Sequence, residues 1–345
     1  RRRQGARPSH SQGHGAGSAT QPPASTASQP VLNHPVRATR IAAGSPAMNA
    51  RMLLNPAAGR GRGRRALAAV ALAARRHGIE VEVPESPAAL TECARRAAAE
   101  GVERLLVGGG DGTWHQAARG LARSACALAP IALGTGNDLA RELGFPVGPH
   151  DSGTAIERAL ASPVTRIDLG RAGGGIFCGV AGAGFDSQCA EYAKGVRRLR
   201  GPLVYVWSVV RVLARFVPLY ATLDHDGGRF SGEVMFISLA NTRWFGGGMH
   251  IAPQADAADG LLDIVIVHRV ARARLLAVFP RVYSGRHLSH PAISTLRTRR
   301  ARLAFDRPSM LYGDGEPIAA VPSPAEGGLE VDLDCGALLV VCARD

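Results

Sequence analysis

The sequence predicts an α/β domain followed by a mainly β domain, and three observations converge on that class. Strands and helices alternate from Met52 to about residue 162, closely spaced strand patterns take over from residue 163, and three glycine-rich loops fall in the first half alone. A chain of 345 residues, 46% of them apolar, is long enough for two cores and is neither disordered throughout nor a disulfide scaffold. No apolar run reaches the ~18 residues of a membrane-spanning helix, and the best stretch, 203–216, is broken by Arg211 and Arg215.

Met52-Leu53-Leu54 reads as a strand, 64–77 as a helix and 79–83 as a second strand. Ser86-Pro87 supplies an N-cap and a proline at the first helical position for a helix to about Glu100. A strand over 105–107, a helix over 113–122, a strand over 131–133 and a helix over 137–143 complete a parallel α/β series. Residues 50–162 form the first domain and 163–345 the second. In the second, 167–169, 176–180, 220–223, 233–239, 262–267, 301–305, 329–333 and 338–342 read as strands, with Asp226-Gly227-Gly228 as a hairpin turn. Two helices interrupt them, 203–216 and 271–282, and the strands predict a sandwich.

Residues 1–47 carry no periodic apolar pattern and read as a disordered Arg/Gly/Ser/Pro tail, without the apolar core of a secretory signal. Met48 or Met52 would start a compact protein. The net charge is +13, and six arginines of the excess sit in that tail, so the remainder is moderately basic. Such a balance suits phosphates or an anionic membrane face. Nucleic acid is not expected: aromatics make up 5% of the chain and no base-stacking motif is visible. Six cysteines without a C-x-x-C pair read as buried, reduced thiols of a cytosolic protein.

The glycine loops are Asn55-Pro56-Ala57-Ala58-Gly59-Arg60-Gly61-Arg62-Gly63, Gly108 to Thr113, and Gly134-Thr135-Gly136-Asn137-Asp138. Each follows a strand, where an open α/β sheet binds ligands, and glycine lets backbone N–H groups approach phosphate oxygens. A Walker A loop is excluded because the chain's one lysine, Lys194, lies far away. Gly61 to Ala66 matches G-x-G-x-x-A, with Glu82 about 20 residues on, so a dinucleotide fold is a rival. That rival leaves the second and third loops unexplained.

Together, Asn55-Pro-x-x-Gly59, Gly109-Gly110-Asp111-Gly112-Thr113 and Gly134-Thr135-Gly136-Asn137-Asp138-Leu139-Ala140-Arg141 resemble the diacylglycerol kinase catalytic-domain family, which includes soluble bacterial lipid kinases and sphingosine kinases. The likeness continues through Gly184-Phe185-Asp186, Ala252-Pro253, Asp259-Gly260-Leu261-Leu262-Asp263 and Asp314-Gly315-Glu316, over roughly 50–343. The resemblance implies an NAD-kinase-like α/β nucleotide-binding domain and a β-sandwich with the active site in the cleft between them. It implies that Asn55 to Gly59, Gly109 to Gln116 and Thr135 line an ATP site, with Arg60 as an extra cation and Ser86 where the family places a small hydroxyl. Asn137 and Asp138 would organise that site, and Asp256, Asp259 and Leu261 would hold a structural Mg²⁺ with main-chain carbonyls. Glu316 matches the family's general base. Two departures stand out: His115-Gln116 replaces the Asn-Glu of many members, and Ala57-Ala58 replaces a usual Ser or Thr.

The resemblance thus implies ATP- and Mg²⁺-dependent phosphorylation of a lipid hydroxyl, most simply diacylglycerol to phosphatidic acid. Asp111 would meet the nucleotide's Mg²⁺ and Glu316 would take the hydroxyl proton. A kinase for a soluble acceptor such as NAD, and a nucleotide-binding module without turnover, are the alternatives. The expected partners are ATP, a membrane lipid and, transiently, an anionic membrane surface on the cytoplasmic side; a homodimer is left open. Plainer readings stand beside these. Asp314-Gly315 is also a good hairpin turn, Asp259-Gly260 a good loop turn, and His287 and His290 read as surface histidines rather than metal ligands. Arg197 to Arg200 and the helix after them are either a bilayer contact or a solvated loop and a core helix.

Overall fold

The computed structural model describes residues 48–147, 152–196 and 202–344. The expected tail and the Arg197 to Arg200 cluster lie outside the described residues. The first half runs β1 (Ala50–Leu54), α1 (Ala58–Arg76), β2 (Glu80–Glu82), α2 (Pro87–Ala99), β3 (Arg104–Gly109), α3 (Asp111–Leu121), β4 (Ala127–Ala132), α4 (Asp138–Glu142) and α5 (Ser152–Ala161). Its strands pair in the order β2-β1-β3-β4, all parallel, with Leu53 opposite Val107 and Val107 opposite Pro130. β3 and β4 are buried along their whole length, as parallel strands covered by helices on both faces must be.

Local chemistry sets several boundaries. The Ser86 hydroxyl accepts the Ala89 N–H at 3.1 Å and caps α2, with Pro87 at its first position. Trp114 is fully buried and its indole N–H donates to the Val107 carbonyl at 2.8 Å, bolting α3 to β3. Arg104, buried at the start of β3, donates to the carbonyls of Ala159 and Ser162 and so holds the end of α5. α5 is absent from the expected series. The expected start of α1 is also six residues late: Gly59, at φ +59°, turns the chain in, and most of the first glycine loop is helical. The apolar stripe downstream, with Val70 and Ala74 buried, extends the helix through glycines that disfavour it individually.

The second half runs β5 (Val164–Ala172), β6 (Gly175–Phe177), β7 (Val180–Gly184), α6 (Phe185–Gly195), α7 (Pro202–Leu213), β8 (Leu219–His225), β9 (Gly228–Ala240), β10 (Trp244–Phe245), β11 (Met249–His250), β12 (Leu262–His268), α8 (Arg272–Val278), β13 (Ile293–Thr298), β14 (Arg300–Phe305), β15 (Ser309–Gly313), β16 (Glu316–Val321) and β17 (Leu329–Val341). Its sheet pairs are antiparallel apart from a contact between β17 and β4. The Asp226-Gly227 turn joins β8 to β9, with His225 opposite Gly228. Several expectations are corrected. The strand expected over 176–180 is split between the end of β6 and the start of β7, the two expected over 329–333 and 338–342 are the single strand β17, and the helix expected over 271–282 gives way after Val278 to a 3-10 turn containing Pro280. α6, β10, β11, β13, β15 and β16 add to the expected elements.

β17 joins the two halves. Its first residues pair with β14, its length pairs with β5, and Val340 sits opposite Leu128 of β4. The register of β17 shifts between Asp334 and Leu338, and that irregularity leaves Cys335 exposed; Cys342, just past the strand, is half-buried. Those two depart from the expectation of buried thiols, whereas Cys93, Cys126, Cys178 and Cys189 are buried, and all six are free. His287 also departs from its surface reading. A 3-10 turn folds it under the Ile251 carbonyl, 3.0 Å from Nε2, and it is 3% exposed.

Candidate active site

The loops after β1, β3 and β4 converge, and each is held by its own side chains. Asn55 accepts the Ala57 N–H at 2.9 Å and donates to the Thr113 hydroxyl at 3.0 Å, tying the first loop to the second. Asn137 adopts φ +57° and exchanges two hydrogen bonds with Gly134, closing the third loop on itself. Asp111, first residue of α3, accepts the backbone N–H groups of Asn137 at 2.8 Å, Asp138 at 2.7 Å and Leu139 at 3.3 Å. It therefore clamps the second loop to the third. Gly136 is required there, since a Cβ would lie 2.6 Å from the Asp111 carboxylate.

Asp138 extends the clamp into the second half. Its carboxylate accepts the N–H groups of Gly247 at 2.7 Å and Gly248 at 2.8 Å and pairs with Arg141 at 2.6 Å. Gly247 and Gly248 have φ of +89° and +105°, a region that other residues rarely enter. Burial pushes the Asp111 carboxyl up, and the facing Asp138 adds to it; burial likewise pushes Asp138 up.

Two cavities meet at this point. One, of about 540 Å³, is lined by Asn55 to Gly59, Ser86, Gly110 to Thr113, Gln116 and Thr135. The other, of about 530 Å³, is lined by Leu139, Val180, Asp186, Lys194, Val204, Trp244 and Phe245 among others. Asp111, Thr135 and Glu316 line both. Glu316 begins β16 immediately after the Asp314-Gly315 turn, so the hairpin reading and the presence of Glu316 in the cleft hold together. Its carboxylate lies 3.4 Å from Lys194 Nζ, and a Cβ on Gly112 would stand 3.4 Å from Oε1.

Of the expected nucleotide residues, Gly109 and Asn137 support the loops without lining the first cavity, and Asp138 lines the second. The Arg60 side chain lies outside the described residues. Gln116 is hydrogen-bonded by the Thr91 hydroxyl at 3.0 Å. The expected metal residues lie apart from both cavities. Asp256 accepts the Ala258 N–H, while Asp259 accepts the Leu261 N–H at 2.9 Å and the Arg297 guanidinium. Arg297 thus pairs with Asp259, and no cluster of three metal-ligating side chains occurs among the described residues.

Sequence reasoning assigns no role to three neighbours of the cleft. Asp186 is 7% exposed, lines the second cavity and has an unpartnered Oδ1; its removal from water pushes its carboxyl up to about 7. Lys194 lies over the Tyr312 ring at 5.0 Å, and the Tyr312 hydroxyl donates to Glu191. Trp244 stacks on His250 and carries Arg141 on its face. Asp186 stands in the Gly184-Phe185-Asp186 motif, but its burial depends on α6, which has no strong apolar periodicity to announce it.

The family sequence model described as diacylglycerol kinase catalytic domain matches residues 49–172, and the YegS C-terminal NAD kinase beta sandwich-like domain matches 179–341. A diacylglycerol kinase of Mycobacterium tuberculosis (strain CDC 1551 / Oshkosh) is 35% identical over 237 residues, which are 67% of this chain and 75% of that protein. A diacylglycerol kinase of Bacillus subtilis (strain 168) is 28% identical over 278 residues, 79% of this chain and 91% of that protein. The fold is similar to that of a crystal structure of a diacylglycerol kinase from Bacillus anthracis strain Sterne, with a TM-score of 0.63 at 19% identity over 85% of this chain and 96% of that one. The chain belongs to the diacylglycerol kinase catalytic-domain family and is a lipid kinase, a phosphotransferase with an alcohol group as acceptor.

Proposed function

We propose that the chain transfers the γ-phosphate of ATP, with Mg²⁺, to a lipid hydroxyl, and that diacylglycerol is the acceptor. The observation that carries this reading is the meeting of two cavities at Asp111, Thr135 and Glu316. In this reading the first cavity takes the nucleotide: the glycine loops offer backbone donors to phosphate, and the N-terminus of α3 favours its negative charge. Asp111 would meet the nucleotide's Mg²⁺, directly or through water: burial and the facing Asp138 raise its proton affinity, and a hard cation would offset both. Bound Mg²⁺ would neutralise charge on the phosphates.

The second cavity takes the acceptor. Its walls are largely apolar, and the unpartnered Asp186 oxygen is available to a polar head group. Glu316, facing both cavities, accepts the hydroxyl proton as that oxygen attacks phosphorus. Contact with a bilayer is supported by α7, whose Val204 and Val209 are buried while Val206, Trp207 and Val210 are each more than 40% exposed. Among the described residues no helix is long and apolar enough to cross a membrane.

The test is label transfer from γ-labelled ATP into mixed micelles of diacylglycerol, monoacylglycerol, ceramide or sphingosine, with NAD as soluble acceptor. Label is expected in diacylglycerol, and Glu316→Ala should reduce it at least ~100-fold while retaining ATP binding. Label in NAD alone, or undiminished transfer by the variant, would overturn the corresponding assignment.

A further inference from the structure

His115 and Asp314 are 199 positions apart, yet their side chains meet in the cleft, 7% and 9% exposed, with His115 Nδ1 3.2 Å from Asp314 Oδ2. His115 lies on α3 one turn after Asp111, and the two share a helix face. Asp314 occupies the turn between β15 and β16 at φ +54°, left-handed backbone that a non-glycine residue holds only when its surroundings enforce it. The enforcing contacts are visible. Asp314 Oδ1 accepts the Gly179 N–H at 2.8 Å, Oδ2 accepts the Cys178 N–H at 2.7 Å, and the Asp314 N–H donates to the Val180 carbonyl at 3.2 Å.

Glu316 follows two residues later and is held quite differently. Its carboxylate is nearly half exposed and pairs only loosely with Lys194, itself 43% exposed, and such a pair contributes little positional force. The backbone of the turn therefore determines where Glu316 stands. Cys178, Gly179 and Val180 anchor that turn within the second half, and His115 ties it to the helix that begins with Asp111. The carboxylate of Asp314 is an acceptor in each of its contacts, so Nδ1 carries the proton and donates.

We propose that His115 and Asp314 form the clamp that fixes Glu316 relative to Asp111, making His115 a positioning residue for phosphoryl transfer. The inference deepens the proposed function and rests on it. Positioning is much of what phosphoryl transfer asks of a protein, and a displacement of about 1 Å can slow such a step by about 100-fold. His115 does not line the first cavity, so its loss should leave nucleotide affinity nearly intact.

Two substitutions separate donation from packing. His115→Asn retains an N–H donor and loses the ring; His115→Phe retains a ring and loses the donor. The expected result is a kcat reduced about 10- to 100-fold in His115→Phe, KM for ATP within about threefold of wild type, and most of kcat regained in His115→Asn. A His115→Phe protein with wild-type kcat, or one at least as fast as His115→Asn, overturns the clamp. If His115→Phe lacks a cooperative thermal transition, His115→Ala replaces it, and equal kcat in the Ala and Asn proteins overturns the clamp. Wild-type protein that labels no lipid would instead sink the proposed function, which distinguishes the two failures.

Discussion

Asp186 and Asp111 are both buried carboxylates next to the cleft, yet their surroundings differ. Asp111 receives three backbone N–H groups from the end of the third glycine loop and the start of α4, whereas one oxygen of Asp186 has no partner. With a folded-state pKa of about 7 against an ordinary 3.8, Asp186 keeps a proton on folding that the unfolded chain releases. Its contribution to stability therefore falls as pH rises from about 4 to about 7 and is flat above that. A tenfold change in proton affinity corresponds to roughly 1.4 kcal/mol, so Asp186→Asn should match wild type near pH 4 and exceed its stability by about 2–4 kcal/mol at about pH 8. Denaturant titrations at both pH values check this, and a constant difference between the proteins would refute it. The sequence shows only an aspartate after Gly184-Phe185; α6 folding against β7 is what takes it out of water.

Among the elements, α2 is the most readable, because Ser86-Pro87 is a local start signal whose cap depends on neighbours three residues away. Ser86 also lines the first cavity, so its cap and its expected place near ATP can be separated by experiment. Ser86→Ala should lower stability by about 1 kcal/mol, the worth of such a cap, while changing KM for ATP less than about threefold. Thermal unfolding beside ATP kinetics measures both, and a large KM change with unaltered stability would reverse the assignment. The β15–β16 hairpin is less readable. Asp314-Gly315 signals a turn, but its flanking strands are short and part-exposed and offer little alternation. The Trp244 to His250 hairpin carries no periodic signal because its strands are two residues each.

At the scale of the whole molecule, the last strand governs both halves. β17 pairs with β14 and β5, and Val340 reaches β4, while the Ala337 carbonyl accepts the Arg123 N–H at 2.6 Å. Leu338, Val340 and Val341 are fully buried in the core shared with β1, β3 and β4. A fragment comprising residues 48–162 should therefore lack a cooperative thermal transition, although it contains every glycine loop. A sharp melt for that fragment by circular dichroism would show that β17 is dispensable to it. The sequence by itself determined the parallel α/β order and the glycine turns that follow its strands, because strand–helix alternation, caps and glycine turns are local. Only the tertiary structure decided that Glu316 and Asp111 line the same cavities, that His115 reaches Asp314, and that Arg297 sits on Asp259. Those contacts join residues from about 40 to about 200 positions apart, and neither periodicity nor spacing along a chain encodes which distant side chains close packing will bring together.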